Sequence, residues 1–366
     1  MNALLKEIRH QPLLWLLVFV PIAFLVEHLR PGSHTLLFVL SVLAIVPLAA
    51  LLSHATESVA AKTGDAVGGL LNATLGNLTE LVIALTALKA GEYMLVKASI
   101  AGAIVTNTLF MLGMSFLLGG LKHHTQEYNR ASARTQAGLL FLAVVALLAP
   151  SAVAGVEESA QAAFMSTLSV GLAVLLIAVY ALGMLFSLKT HKEIYASAEH
   201  GEGAEGEEPW PMALALTTLA VITVLVALVS EVFVSSVQEA AVTFGMTPAF
   251  VGFIVVALVG AAAEMASAFS AARKNRLDLS VGIALGSASQ IALFVAPVLV
   301  LLSYVIGPTP MDLQFWRGAV VMMLIATVTA AFVTTAGRSA WFVGVLVLTV
   351  YVIFAMTLYL LPPGGA

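Results

Sequence analysis

A succession of apolar stretches constrains this chain more than anything else, because each is about as long as the ~20 residues an α-helix needs to cross a bilayer. Eleven stretches qualify, near 12–29, 34–54, 67–88, 93–118, 134–152, 163–187, 211–233, 247–272, 279–304, 313–335 and 340–361. Only one connection is long and clearly polar, "KTHKEIYASAEHGEGAEGEEP" at 189–209. Composition agrees: 60% of the 366 residues are hydrophobic and 10% charged, against about 25% charged in a soluble domain. The expectation is an all-α polytopic membrane protein with eleven transmembrane helices.

Several function classes drop out early. The chain has no cysteine, which excludes disulfides, thiolate metal sites and cysteine nucleophiles. It has no basic run or aromatic-basic patch, so a nucleic-acid partner is not expected. Lys6 and Arg9 ahead of an apolar run could open a signal peptide. The run ends at Glu27-His28-Leu29-Arg30-Pro31 without a small-residue cleavage site, so an uncleaved first helix is expected.

Basic residues favour the cytoplasmic side of a membrane. With the N-terminus inside, the outer connections hold only Arg30, Lys89, Lys97 and Arg317, and the other twelve of the 16 Lys and Arg lie inside. Eleven spans then put the C-terminus outside.

The sequence also resembles itself. A displacement of 184 positions places Glu80 on Glu264, Gly68 on Gly252, Ala73 on Ala257 and Gly76 on Gly260. It also places Ala84 on Ala268, Gly102 on Gly286, Leu109 on Leu293 and Phe110 on Phe294. The domains expected are a first transmembrane helix (1–33), a five-helix repeat (34–188), an acidic cytosolic linker (189–210) and a second five-helix repeat (211–366). Five is odd, so the second copy enters from the opposite side. Inverted repeats mark secondary transporters, with the site at the midplane where the copies meet.

That geometry gives the two central acids a purpose. A charged Glu in the bilayer core is costly and usually marks an ion pathway. Asn72, Gly76, Asn77, Glu80 and Ala84 share one helical face, and Ala257, Gly260, Ala261, Glu264, Ser267 and Ala268 share another. Ser99, Ala103, Thr106 and Asn107 lie on the next span of the first half; Gly286, Ser287 and Gln290 lie on its counterpart. Carboxylate, amide, hydroxyl and backbone carbonyl are all oxygen donors, a set suited to hard Ca²⁺. Two carboxylates neutralise one divalent ion, and once it leaves they take up protons rather than remain charged in a low dielectric. Competition between cation and protons for the same oxygens is the minimal chemistry of antiport. The plainer reading is a structural hydrogen-bond network between helices.

Outside the centre, Glu57 and Glu231 close the first span of each repeat and read as vestibule or proton-relay acids, or as ordinary interfacial ones. Glu199, Glu202, Glu205, Glu207 and Glu208 make the linker acidic, either as a solvated connection or as a regulatory Ca²⁺ or pH sensor. His123 and His124 beside Lys122 mark the membrane surface rather than a metal site.

Taken together, these motifs resemble the CAX-type cation/proton exchangers of the calcium:cation antiporter superfamily over nearly the whole chain. Gly76, Asn77, Glu80 and Leu81 resemble that family's G-N-x-x-E-L motif, continued at Gly102 and Asn107. Gly286, Ser287, Gln290, Ile291, Phe294, Val295 and Pro297 resemble its G-S-x-x-Q-I-x-x-F-V-x-P motif. The resemblance implies that Glu80 and Glu264 bind Ca²⁺ and protons alternately, assisted by Asn77, Asn107, Ser287 and Gln290. It further implies that spans 1 and 6 slide over the acid-bearing helices. The chain departs from the pattern at Ala261 and Met265, where the family has Asn and His, and at Ala103, where it has serine.

The functional expectation is a secondary antiporter exchanging Ca²⁺, or another divalent cation, for H⁺ in a prokaryotic plasma membrane. It would need no cofactor beyond the transported ions; its partners would be those ions and lipid, and a homo-oligomer is compatible with it. Na⁺-coupled Ca²⁺ exchange is the near alternative. An intramembrane enzyme is the distant one, since the chain shows no His-Glu-x-x-His zinc motif and no convincing nucleophile setting.

Overall fold

The computed structural model describes residues 8, 11–63, 65–153, 158–191 and 209–361. Among them, nine helices are long and apolar enough to cross a membrane: α1 (Pro12–Leu29), α2 (His34–Thr63), α5 (Tyr93–His123), α6 (Arg130–Ala152), α7 (Phe164–Thr190), α8 (Met212–Thr243), α11 (Leu277–Ile306), α12 (Arg317–Thr334) and α13 (Trp341–Leu360). A pair bent by 59° at Ala261, α9 (Pro248–Gly260) and α10 (Ala262–Arg273), is apolar and long enough to make a tenth if taken as one span. The expected span at 67–88 is likewise divided, into α3 (Asp65–Leu75) and α4 (Leu78–Lys89). At 11 and 12 residues neither piece reaches across a bilayer alone. The linker acids Glu199, Glu202, Glu205, Glu207 and Glu208 lie outside the described residues.

Local chemistry starts and stops these helices. Asn129 caps α6 by accepting from Ser132 N at 3.0 Å, and Thr247 caps α9 by accepting from Phe250 N at 3.1 Å with Pro248 in the first turn. The α4–α5 turn uses Gly91 at φ +79°, and the α10–α11 turn uses Asn275 at φ +61°. Both left-handed positions suit the residue present, and they lie 184 apart.

The same displacement relates two further irregularities, though the π-turn at Val251–Val256 in α9 has no counterpart in α3. It carries Gly76–Asn77 onto Gly260–Ala261, where the two broken helices divide. It brings the π-helical turn at Thr106–Met111 in α5 to within a residue of the π-turn at Ile291–Val295 in α11. The spans are thus arranged as apparent internal repeats. Such departures from regular helix free backbone carbonyls, which membrane proteins tolerate only inside protein or along a cavity.

Packing sorts the helices. α2 and α8 lie against each other, and α2 also touches α10 while α8 touches α4. α5, α9, α10 and α11 form the buried centre, with Phe116 and Phe253 fully enclosed. Large apolar residues such as Val305, Phe332 and Leu360 are exposed on the periphery, as lipid-facing side chains must be. A two-stranded antiparallel ribbon, β1 (Thr125–Glu127) with β2 (Arg338–Ala340), ties the end of α5 to the start of α13. Of the two spans expected to slide, α1 packs on α2, and α7 packs on α6 and α11. The long pair α2 and α8, the first span of each half, borders the acid-bearing helices.

Candidate functional site

The two helix breaks meet at the centre of the bundle. Asn77, at the α3–α4 break, has a backbone of φ −98° and ψ +30°; Ala261, at the α9–α10 break, has φ −80° and ψ +7°. Glycine and asparagine weaken a helix at the first break. Gly260 does the same at the second, where Glu80 also approaches closely. A Cβ on Gly260 would stand 2.9 Å from Glu80 Cγ, so only glycine lets the Glu80 side chain lie across the break.

Glu80 and Glu264 each sit one turn beyond a break, in the first turn of α4 and of α10. Their charges lie within electrostatic range of one another, with Ser287 beside Glu264. Next to them runs a chain of hydrogen bonds that joins both halves. Asn107 Nδ2 donates to Ser287 Oγ at 2.8 Å, and Ser287 Oγ donates to Asn77 Oδ1 at 2.8 Å. Asn77 Nδ2 in turn donates to Gln290 Oε1. All four polar residues singled out from the sequence therefore belong to one network. Asn77, Asn107 and Ser287 are buried and Gln290 is half-buried.

Three oxygens at this place stay unused. Glu80 Oε1, Glu264 Oε2 and Asn107 Oδ1 are buried without a hydrogen-bond partner among the described residues. Leaving such acceptors unpaired in an apolar interior is costly, and oxygen donors of this kind suit a hard cation. No cluster of three or more His, Cys, Asp or Glu suited to a metal ion occurs among the described residues.

The remaining acids lie at the edges. Glu57 is exposed on α2 and accepts from Ser53 Oγ at 3.1 Å. Glu231 is exposed on α8 and pairs with Lys89, the last residue of α4, at 3.3 Å. Glu57 lies within electrostatic range of Glu264, whose helix α10 packs on α2. Sequence reading missed their neighbours: His34 Nε2 lies 3.3 Å from Glu239, and Gln238 Nε2 donates to Glu92 Oε1 at 2.6 Å. It also missed what Lys122 and His123 do. Both reach Arg273 O, at 2.9 and 3.0 Å, while Gln126 Nε2 donates to Ala272 O at 2.9 Å. Donors placed on the last carbonyls of α10 complement its negative end and hold the Glu264 helix to α5. Ala103 and Met265 are buried and Ala261 wholly so, adding packing and no oxygen ligand.

A helical bundle with buried acids at two helix breaks, bridged by an amide network, defines a secondary ion transporter of the membrane-embedded kind. A family model described as sodium/calcium exchanger protein matches residues 33–189 and 214–360, one stretch on each side of the linker. A Ca²⁺/H⁺ antiporter of Aphanothece halophytica is 39% identical over 359 residues, covering 95% of this chain and 96% of its own length. The Ca²⁺/H⁺ antiporter ChaA of Bacillus subtilis is 40% identical over 345 residues, covering 93% and 97%. The solved structure of native YfkE superposes with a TM-score of 0.80 at 36% identity, covering 94% of this chain and 98% of that one. The chain belongs to the calcium:cation antiporter superfamily and is closely related to its cation/proton exchangers.

Proposed function

We propose that this protein is a secondary antiporter that exchanges Ca²⁺ for H⁺ across a membrane, with Glu80 and Glu264 as the shared binding groups. The observation carrying this reading is the set of unpartnered oxygens, Glu80 Oε1 and Glu264 Oε2, buried beside the network of Asn107, Ser287, Asn77 and Gln290.

Chemically, the two carboxylates and the neighbouring amide oxygens replace the hydration shell of one divalent ion. When the ion leaves, burial and mutual repulsion drive the pair to bind protons. The site thus carries a cation one way and protons the other, and cannot hold both. That exclusion is what couples the two fluxes.

In the same reading, α3–α4 forms the eleventh span, and the halves 34–188 and 211–366 are inverted repeats. The N-terminus is cytoplasmic, the membrane is a prokaryotic plasma membrane, and α2 with α8 moves over the acid-bearing helices. Glu57 and Glu231 are vestibule acids at opposite mouths that attract cations or relay protons. A proton gradient would then drive Ca²⁺ out of the cytosol.

Purified protein in proteoliposomes with an imposed pH gradient tests the function. Ca²⁺ movement that follows the proton gradient and ignores a sodium gradient is expected. Movement that follows only the sodium gradient would establish Na⁺-coupled exchange instead.

A further inference from the structure

The two halves of this molecule differ at one corresponding seam. In the first half α5 packs against α9 of the second at backbone distance. A Cβ on Gly102 would stand 2.1 Å from Phe253 O, and a Cβ on Gly252 would stand 2.5 Å from Ala98 Cβ. Displacement by 184 turns α5 into α11 and α9 into α3, so the corresponding seam should join Gly286 to Gly69 and Gly282 to Gly68.

That contact is not made. A Cβ on Gly286 would meet nothing within 4 Å. α3 leans elsewhere: a Cβ on Gly68 would stand 2.2 Å from Ala60 O of α2, and one on Gly69 would stand 2.6 Å from the Leu188 side chain. The glycines that permit closure are nevertheless present on both helices.

We propose that Gly286, facing Gly68 and Gly69, is the seam through which the second mouth of the transporter closes, copying the Gly102–Phe253 contact that seals the first. The structure is then the state open at α3–α11. Transport requires the alternate state, in which α3 swings from α2 onto α11 while the α5–α9 contact parts. This rests on the inverted-repeat reading above, under which the sealed mouth is external and the open one cytoplasmic.

The constraint is steric. A side chain at 286 costs nothing in the state seen here, yet it collides in the other by the distance that a Cβ on Gly102 already shows. A group tolerated by one state and forbidden in the other shifts the equilibrium by its differential free energy alone.

Gly286→Val and the smaller Gly286→Ala test this in reconstituted protein and in detergent. Both should fold with unchanged melting temperature and bind ⁴⁵Ca²⁺ within about threefold of the parent, while Val lowers Ca²⁺/H⁺ exchange by at least about tenfold and Ala by less. Exchange by Gly286→Val within about twofold of the parent would overturn the seam. So would loss of Ca²⁺ binding in both folded variants, which would place Gly286 in the ion site. Absence of exchange in the parent protein would instead refute the antiport reading itself.

Discussion

Glu80 and Gly260 are in contact across the two halves of the molecule: a Cβ on Gly260 would stand 2.9 Å from Glu80 Cγ and 3.4 Å from its Cδ. Gly260 ends α9 four residues before Glu264. The acid of one half therefore rests against the helix break that carries the acid of the other, and each acid's position depends on the opposite half.

Gly260→Ala should act on ion binding more than on folding. The added methyl must displace a flexible Glu80 side chain rather than backbone, so overpacking should cost about 1–2 kcal/mol at most. Moving the carboxylate should weaken Ca²⁺ binding by about tenfold or more, measured by ⁴⁵Ca²⁺ equilibrium dialysis. Parental affinity in a folded Gly260→Ala protein would mean that Glu80 does not hold the ion from this position.

Asn77 accepts from Ser287 and donates to Gln290, so it joins α3–α4 to α11. Asn77→Ala would remove the acceptor of buried Ser287 and the donor to half-buried Gln290, at about 1–3 kcal/mol, and one oxygen beside the acids. Both the melting temperature and Ca²⁺ affinity should fall. Ser287→Ala breaks the chain one link further along, and the double variant should lose less than the sum of the singles because the residues share a network. Additive losses would show that the two act separately.

Lys97 and Asp312 make a 2.5 Å ion pair between α5 and the segment after α11, with side chains 17% and 36% exposed. Asp312 Oδ1 also accepts from Gln314 N at 2.8 Å. This contact is remote from the acids, so it should contribute to stability and not to transport. Lys97→Met should lower the melting temperature by a few degrees, for about 1 kcal/mol after allowing for solvent screening, while Ca²⁺ affinity stays unchanged. A change in affinity with unchanged stability would contradict that assignment.

What was legible in the sequence and what was not follow from different physics. Spans such as α2, α8 and α11 are visible because burial in lipid demands unbroken apolar length. Glu80, Glu264, Asn77, Asn107, Ser287 and Gln290 are visible because polar groups in such segments need a reason. The break at Gly76–Asn77 was less so: a run that looks like one span is two helices, and helix propensity alone does not fix where the ladder opens. At the second break Gly260 gives the same weak signal, and the approach of Glu80 there is visible only in the fold. The β1–β2 ribbon and the capping of α10 by Lys122, His123 and Gln126 join segments far apart in the chain, and nothing local announces them. The pairing of α2 with α8 is a fact of tertiary packing.

The most direct test of the central claim is a count of protons released when Ca²⁺ binds. Weakly buffered protein in detergent is titrated with Ca²⁺ near neutral pH, and the pH change is calibrated with acid. If one pair of carboxylates holds either the ion or its protons, each Ca²⁺ should displace between one and two protons. Affinity should then fall by up to about a hundredfold per pH unit of acidification. Glu80→Gln and Glu264→Gln should each abolish both the binding and the release. Tight Ca²⁺ binding with no proton release at any pH, or undiminished release in the double Gln variant, would contradict the account.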